Sequence, residues 1–108
     1  MKQIYLLLAI LLGSLQLASA QQQTLRFNKD GKFKIVQFTD VHYIYNDSRS
    51  DISVERINQV LDLEKPDLVL FTGDVIYGKP AEEGMRTVLN LVSKREIPFA
   101  VTFGNHDN

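Results

Sequence analysis

The sequence predicts an α/β fold built on a mostly parallel sheet. Apolar runs of strand length alternate with stretches whose apolar residues recur at helical spacing. The run Leu68-Val69-Leu70-Phe71 is continuously apolar, as in a strand covered on both faces. Three of the strand-like runs end in polar clusters, the arrangement expected where parallel strands share one functional edge.

The first 20 of the 108 residues read as a secretory signal peptide. Met1 and Lys2 make a short positive start, residues 4–12 are almost wholly apolar, and a small-residue stretch ends in Ala18-Ser19-Ala20, with cleavage expected after Ala20. Gly13, Ser14 and Gln16 interrupt the apolar run before it reaches the roughly 20 residues of a spanning helix. The expectation is an exported protein, periplasmic or extracellular, with no membrane span after cleavage. Gln21-Gln22-Gln23 reads as a frayed start.

Leu25 and Phe27 alternate with polar neighbours, Asn28-Lys29-Asp30-Gly31 reads as a turn, and Phe33, Ile35, Val36 and Phe38 make a second extended run, so a hairpin is expected. A polar loop follows over 43–50. Asp51 is placed to cap a helix running to Glu64, with Ile57, Val60 and Leu61 as its apolar stripe and Lys65-Pro66 as its stop. The strand 68–72 leads into a loop with Gly73, Gly78 and Pro80. A second helix is predicted over 80–95, with Glu82 and Glu83 in its first turn, Lys94 and Arg95 in its last, and Met85, Val88, Leu89 and Val92 inward. Residues 99–103 form the last strand.

Residues 21–108 suffice for one small domain. With Lys2 removed, the 12 basic residues fall to 11 against 13 acidic ones, a formal charge of −2 and no basic patch for nucleic acid. The absence of cysteine excludes disulfides, thiolate metal ligands and a lipid-anchored cysteine.

The clusters after the strands are Asp40-Val41-His42, Gly73-Asp74 and Gly104-Asn105-His106-Asp107. Asp40 to Asp74 and Asp74 to Asn105 span 34 and 31 positions, each about one strand–helix–strand unit. Parallel strands would bring all three clusters to the carboxyl edge of the sheet. Taken singly, a loop aspartate is usually a turn former or cap and a loop histidine a solvated side chain. Together, the carboxylates repel unless a cation joins them, and oxygen and imidazole donors suit zinc, iron or manganese.

In order and spacing these clusters resemble the first three motifs of the calcineurin-like metallophosphoesterase superfamily: D-x-H, G-D and G-N-H-D/E. The resemblance covers 33–108, and the surroundings look closest to the exported, purple-acid-phosphatase-like branch. It implies that 21–108 is the N-terminal part of such a domain, half of a four-layer α/β/β/α sandwich whose sheet would expose apolar surface on one face. It implies hydrolysis of a phosphate-ester substrate by a water activated between two divalent or trivalent metal ions (Fe, Mn or Zn). Asp40 and His42 would hold the first metal, Asp74 would bridge both, and Asn105 would ligate the second. His106 would stabilise charge on the phosphate or protonate the leaving oxygen, and Asp107 would orient His106.

Two departures stand out. Tyr77 occupies the place of the tyrosine ligand in the G-D-x-x-Y motif of purple acid phosphatases, but their first motif lacks the histidine that His42 supplies; a packing or loop role for Tyr77 is the alternative. The family's later histidine and G-H-x-H motif do not occur among these residues, whose two histidines are His42 and His106. The rival expectation is therefore a non-catalytic fragment or metal-binding remnant. A phosphatase with a nucleophilic aspartate and one magnesium would leave His42 and the last cluster without a role.

Overall fold

The computed structural model describes residues 23–108, and the signal peptide predicted over 1–20 lies outside the described residues. Strands β1 (Ile35–Phe38), β2 (Leu68–Thr72) and β3 (Phe99–Thr102) form one parallel sheet in chain order. Helix α1 (Asp51–Glu64) connects β1 to β2, and α2 (Ala81–Ser93) connects β2 to β3. Right-handed crossovers between strands laid down in this order put both helices on one face.

The register explains the core. Val36 pairs with Val69, and Phe38 with Phe71 and Phe71 with Val101, so these five side chains share a face. They pack with Ile57 and Leu61 of α1 and with Val88, Leu91 and Val92 of α2. Phe38 and Phe71 stack with ring centroids 5.5 Å apart. Fully burying a side chain such as Val69 or Phe71 contributes about 1.5–3 kcal/mol. Across the top of the helices the Arg95 guanidinium meets the Asp62 carboxylate at 2.8 Å. The opposite face carries Ile35, Gln37, Leu68, Leu70 and Ala100, partly or fully exposed. This is the apolar sheet face that the sequence leads one to expect.

Three expectations are corrected. Residues 25–27 form no strand. The turn over 28–32 closes, with Asn28 N–H donating to Lys32 at 2.9 Å, but Leu25 and Phe27 stay 51% and 74% exposed. The chain is tied instead to the loop before β2, where Asp67 accepts from the backbone of Lys34 at 2.7 Å and from the Asn28 amide at 2.8 Å. Those bonds fix the entry to β1 without a hairpin partner.

Asp51 is not the cap of α1. A 3₁₀ turn over Ser48–Ser50 precedes the helix, capped by Asp47, and Ser50 takes the N-cap position of α1. The Ser50 hydroxyl, buried, accepts from the backbone of Ile44 at 2.9 Å, so it secures the preceding loop rather than the helix end. Helix α2 is shorter than predicted, because Pro80 serves as its N-cap and Lys94 as its C-cap. Leu91 joins its buried stripe while Met85 and Leu89 lie at the margin.

Candidate metal centre

The site is built by chain that runs beyond the strands. After β1 and β2 the two backbones stay paired: Asp40 N–H donates to Gly73, His42 N–H to Asp74 and Tyr43 N–H to Val75, at 3.0–3.1 Å. Tyr77 N–H then donates back to Tyr43 at 2.8 Å. A parallel bridge between Tyr43 and Ile76 completes this extension, and both side chains are buried. Asp40, His42 and Asp74 take φ values of 52°, 50° and 50° within it. Such angles are uncommon outside glycine and cost about 1–2 kcal/mol each. The paired backbone and the apolar anchors on either side hold them there. Gly73, at φ 92°, makes the turn into Asp74.

The loop after β3 is fastened to the loop after β2. Asp107 accepts from the backbone of Ile76 at 2.9 Å through one carboxylate oxygen and from that of Gly104 at 2.7 Å through the other. Gly104 thereby lies so close to Asp74 that a Cβ on it would overlap the Asp74 carboxylate. In sequence Gly104 passes for an ordinary turn residue; the close approach is visible only once the two loops are side by side.

Asp74 is the point of convergence. One oxygen accepts from the His106 backbone N–H at 3.1 Å; the other stands 3.0 Å from His106 Nδ1 and 3.4 Å from His42 Nε2. The bond to the His106 ring and then the His106 backbone bond hold the Asp74 carboxyl down at about 2, outweighing burial, which raises it, and with a lesser contribution from His42. It is thus an anion across the ordinary pH range.

These residues fit a metal ion. His42, Asp74 and His106 present one ligand atom each, all within 4.8 Å of one another. Two donors bonded to one ion at about 2.0–2.2 Å stand roughly 3–3.5 Å apart, which matches the separations of 3.0 and 3.4 Å about Asp74. Imidazole nitrogen with carboxylate oxygen is a donor set for borderline metals.

Every residue singled out in the sequence reaches this one edge, though not to equal closeness. Asp40 lies beside the group, one oxygen 3.9 Å from His42 Nε2 and the other accepting from the Thr39 hydroxyl at 2.7 Å. Asn105 is exposed and directs its amide nitrogen to His106 Nδ1 at 3.1 Å. His106 stands among the donors, next to the residues that the resemblance makes metal ligands. Asp107 spends both oxygens on backbone N–H groups, so it acts on the loop that carries His106 and not through a bond to its ring. The Tyr77 ring lies against both imidazoles.

The family model for calcineurin-like phosphoesterases matches residues 33–108. The chain belongs to the calcineurin-like phosphoesterase family. The three clusters, from Asp40 to Asp107, fall within the matched residues. Among the relatives of this calcineurin-like chain is phosphatase DCR2 of Saccharomyces cerevisiae, 40% identical over 80% of this chain and 18% of that protein. Probable inactive purple acid phosphatase 28 of Arabidopsis thaliana is 31% identical over 89% of this chain and 28% of its own length. Uncharacterized metallophosphoesterase YkuE of Bacillus subtilis is 35% identical over 70% of this chain and 27% of its own. The chain thus spans less than a third of the length of each of these relatives. No solved structure matches it.

Proposed function

We propose that this chain is part of a longer, exported protein that hydrolyses phosphate esters with two bound metal ions. The observation that carries the reading is the convergence of two imidazoles on one oxygen of Asp74, at 3.0 and 3.4 Å, on the carboxyl edge of a parallel sheet. When bound, the two ions would polarise the phosphoryl group and lower the pKa of the attacking water.

The residues of this chain have distinct tasks in that reading. Asp40 and His42 would hold one ion, Asp74 would serve both, and Asn105 would hold the second through its amide oxygen. Asp74 brings a full negative charge to the centre because its carboxyl stays ionised. His106 donates a proton to the leaving ester oxygen as its bond to phosphorus breaks, a contribution of roughly 10²–10⁴-fold in rate. The backbone pairing of 40–43 with 73–77 keeps these groups preorganised, so little of the binding free energy is used to assemble them. Residues 1–20, with the charge, apolar run and small-residue end of a signal peptide, support export.

A second reading has its own support. Three relatives carry names beginning "probable inactive purple acid phosphatase". On that reading the protein binds metal without turning over phosphate esters. One experiment separates the two: purify the full-length protein, measure bound metal by mass spectrometry, and assay p-nitrophenyl phosphate and bis-p-nitrophenyl phosphate before and after chelation. Two metals per chain with chelator-sensitive hydrolysis is the expected result. Bound metal with no hydrolysis of either ester selects the second reading, and absence of metal rejects both.

A further inference from the structure

Tyr77, His42 and His106 form a closed triangle of rings. The Tyr77 centroid is 5.0 Å from that of His106 and 5.9 Å from that of His42, tilted 44° to each, and the two imidazoles meet edge to face at 5.2 Å. These separations fall within the range of favourable aromatic contacts. The main chain that carries the ring is fixed, because Tyr77 N–H donates to Tyr43 at 2.8 Å next to the buried Tyr43 and Ile76. The hydroxyl is not similarly engaged. Among the described residues it makes no hydrogen bond to Asp74, His42 or His106, although those three lie 3.0–3.4 Å apart about Asp74.

We infer that Tyr77 is a positioning residue whose ring, not its oxygen, serves the site: it packs against both imidazoles and restricts their rotation. The χ2 wells of an imidazole are broad and roughly two-fold, so the contacts that flank the ring decide its orientation. His42 is exposed and His106 only partly buried, and Tyr77 gives each a wall on one side. The nitrogens therefore stay directed at Asp74 before any ion arrives. The inference chooses the packing role over the oxygen-ligand role that the G-D-x-x-Y spacing leaves open. Its kinetic consequence rests on the proposed hydrolytic function; its structural consequence does not.

Two variants of the full-length protein separate ring from oxygen. Tyr77→Phe keeps the ring and Tyr77→Leu removes it while keeping bulk. The expected result is that Tyr77→Phe retains the wild-type metal content, kcat and KM. Tyr77→Leu is expected to lower kcat roughly 2- to 10-fold, the rate equivalent of one aromatic contact, with KM unchanged. In the metal-free protein labelled with ¹⁵N-histidine, the imidazole resonances of both histidines should stay in place in Tyr77→Phe and move in Tyr77→Leu. Loss of metal or kcat in Tyr77→Phe equal to that in Tyr77→Leu would overturn the inference in favour of an oxygen ligand. Unmoved imidazole resonances in Tyr77→Leu would overturn it outright. If the wild type hydrolyses no phosphate ester, the functional reading fails and the imidazole resonances alone decide the role of Tyr77.

Discussion

Asp107 accepts the backbone N–H of Ile76 at 2.9 Å, joining two loops 31 residues apart in sequence. Its other oxygen accepts from Gly104, three residues back. One carboxylate thus sets how far the loop bearing His106 sits from the loop bearing Asp74. Removing it leaves two part-buried N–H groups without their partner. Asp107→Ala should destabilise the protein by about 1–3 kcal/mol, measured by chemical denaturation. The amides of Ile76 and Gly104 should lose protection in hydrogen exchange. Unchanged protection at both would refute the clamp.

Gly104 should not tolerate a side chain. A Cβ there would overlap both the Asp74 backbone nitrogen, which cannot swing aside, and the Asp74 carboxylate, which is held by its bonds to His106. Gly104→Ala is expected to cost about 1–3 kcal/mol as overpacking and to lower metal content at the same time. A variant with normal thermal midpoint and normal metal binding would show that the approach is not required.

Asp74 and His106 should separate metal binding from turnover. Asp74→Ala removes the group on which both imidazoles converge and is expected to abolish metal binding and activity together; retention of two metals would sink its assignment as the bridge. His106→Ala is expected to keep metal while slowing turnover roughly 10²–10⁴-fold. Loss of metal in that variant would instead make His106 a ligand, a role its 3.0 Å approach to Asp74 would suit.

Acid sensitivity has a predictable part outside the metal centre. Hydrogen bonds from the Arg49 side chain, then from the Arg49 backbone N–H, hold the Asp47 carboxyl down at about 2. A carboxyl with a depressed folded pKa stabilises the fold above its unfolded value, about 3.9, and that contribution disappears as pH falls toward about 2. Asp47→Asn should therefore lower stability at pH 6 and have little effect near pH 2. Equal effects at both, by urea titration, would show that the charge is not the stabilising element.

The core carries the largest single-residue effect. Phe71 is fully buried on the central strand and stacks on Phe38 of β1. Phe71→Ala should cost about 3–5 kcal/mol, whereas Leu63→Ala, at a position 81% exposed on α1, should stay within about 0.5 kcal/mol. Comparison of the two midpoints in denaturant tests this.

The sequence by itself determined the order of elements from β1 to β3, the parallel arrangement, and the fact that Asp40, His42, Asp74, Asn105, His106 and Asp107 share one edge. Those properties follow from local periodicity and from the length of a strand–helix–strand unit, both of which are written along the chain. Where local signals were ambiguous the tertiary structure decided. Leu25 and Phe27 alternate like a strand but pair with no strand and stay exposed, while the chain after them is tied to Asp67. Asp51 resembles a cap, yet the 3₁₀ turn over Ser48–Ser50 runs straight into α1 and leaves Ser50 at that position, its hydroxyl accepting from Ile44 in the loop. The same holds within the site. That His106 stands among the donors, that Asp107 binds loop backbone and not the His106 ring, that Gly104 makes room for Asp74 and that Tyr77 flanks both imidazoles all depend on contacts between residues some 30 positions apart. Their distances are fixed by strand register and loop closure, and no local pattern in the chain encodes them.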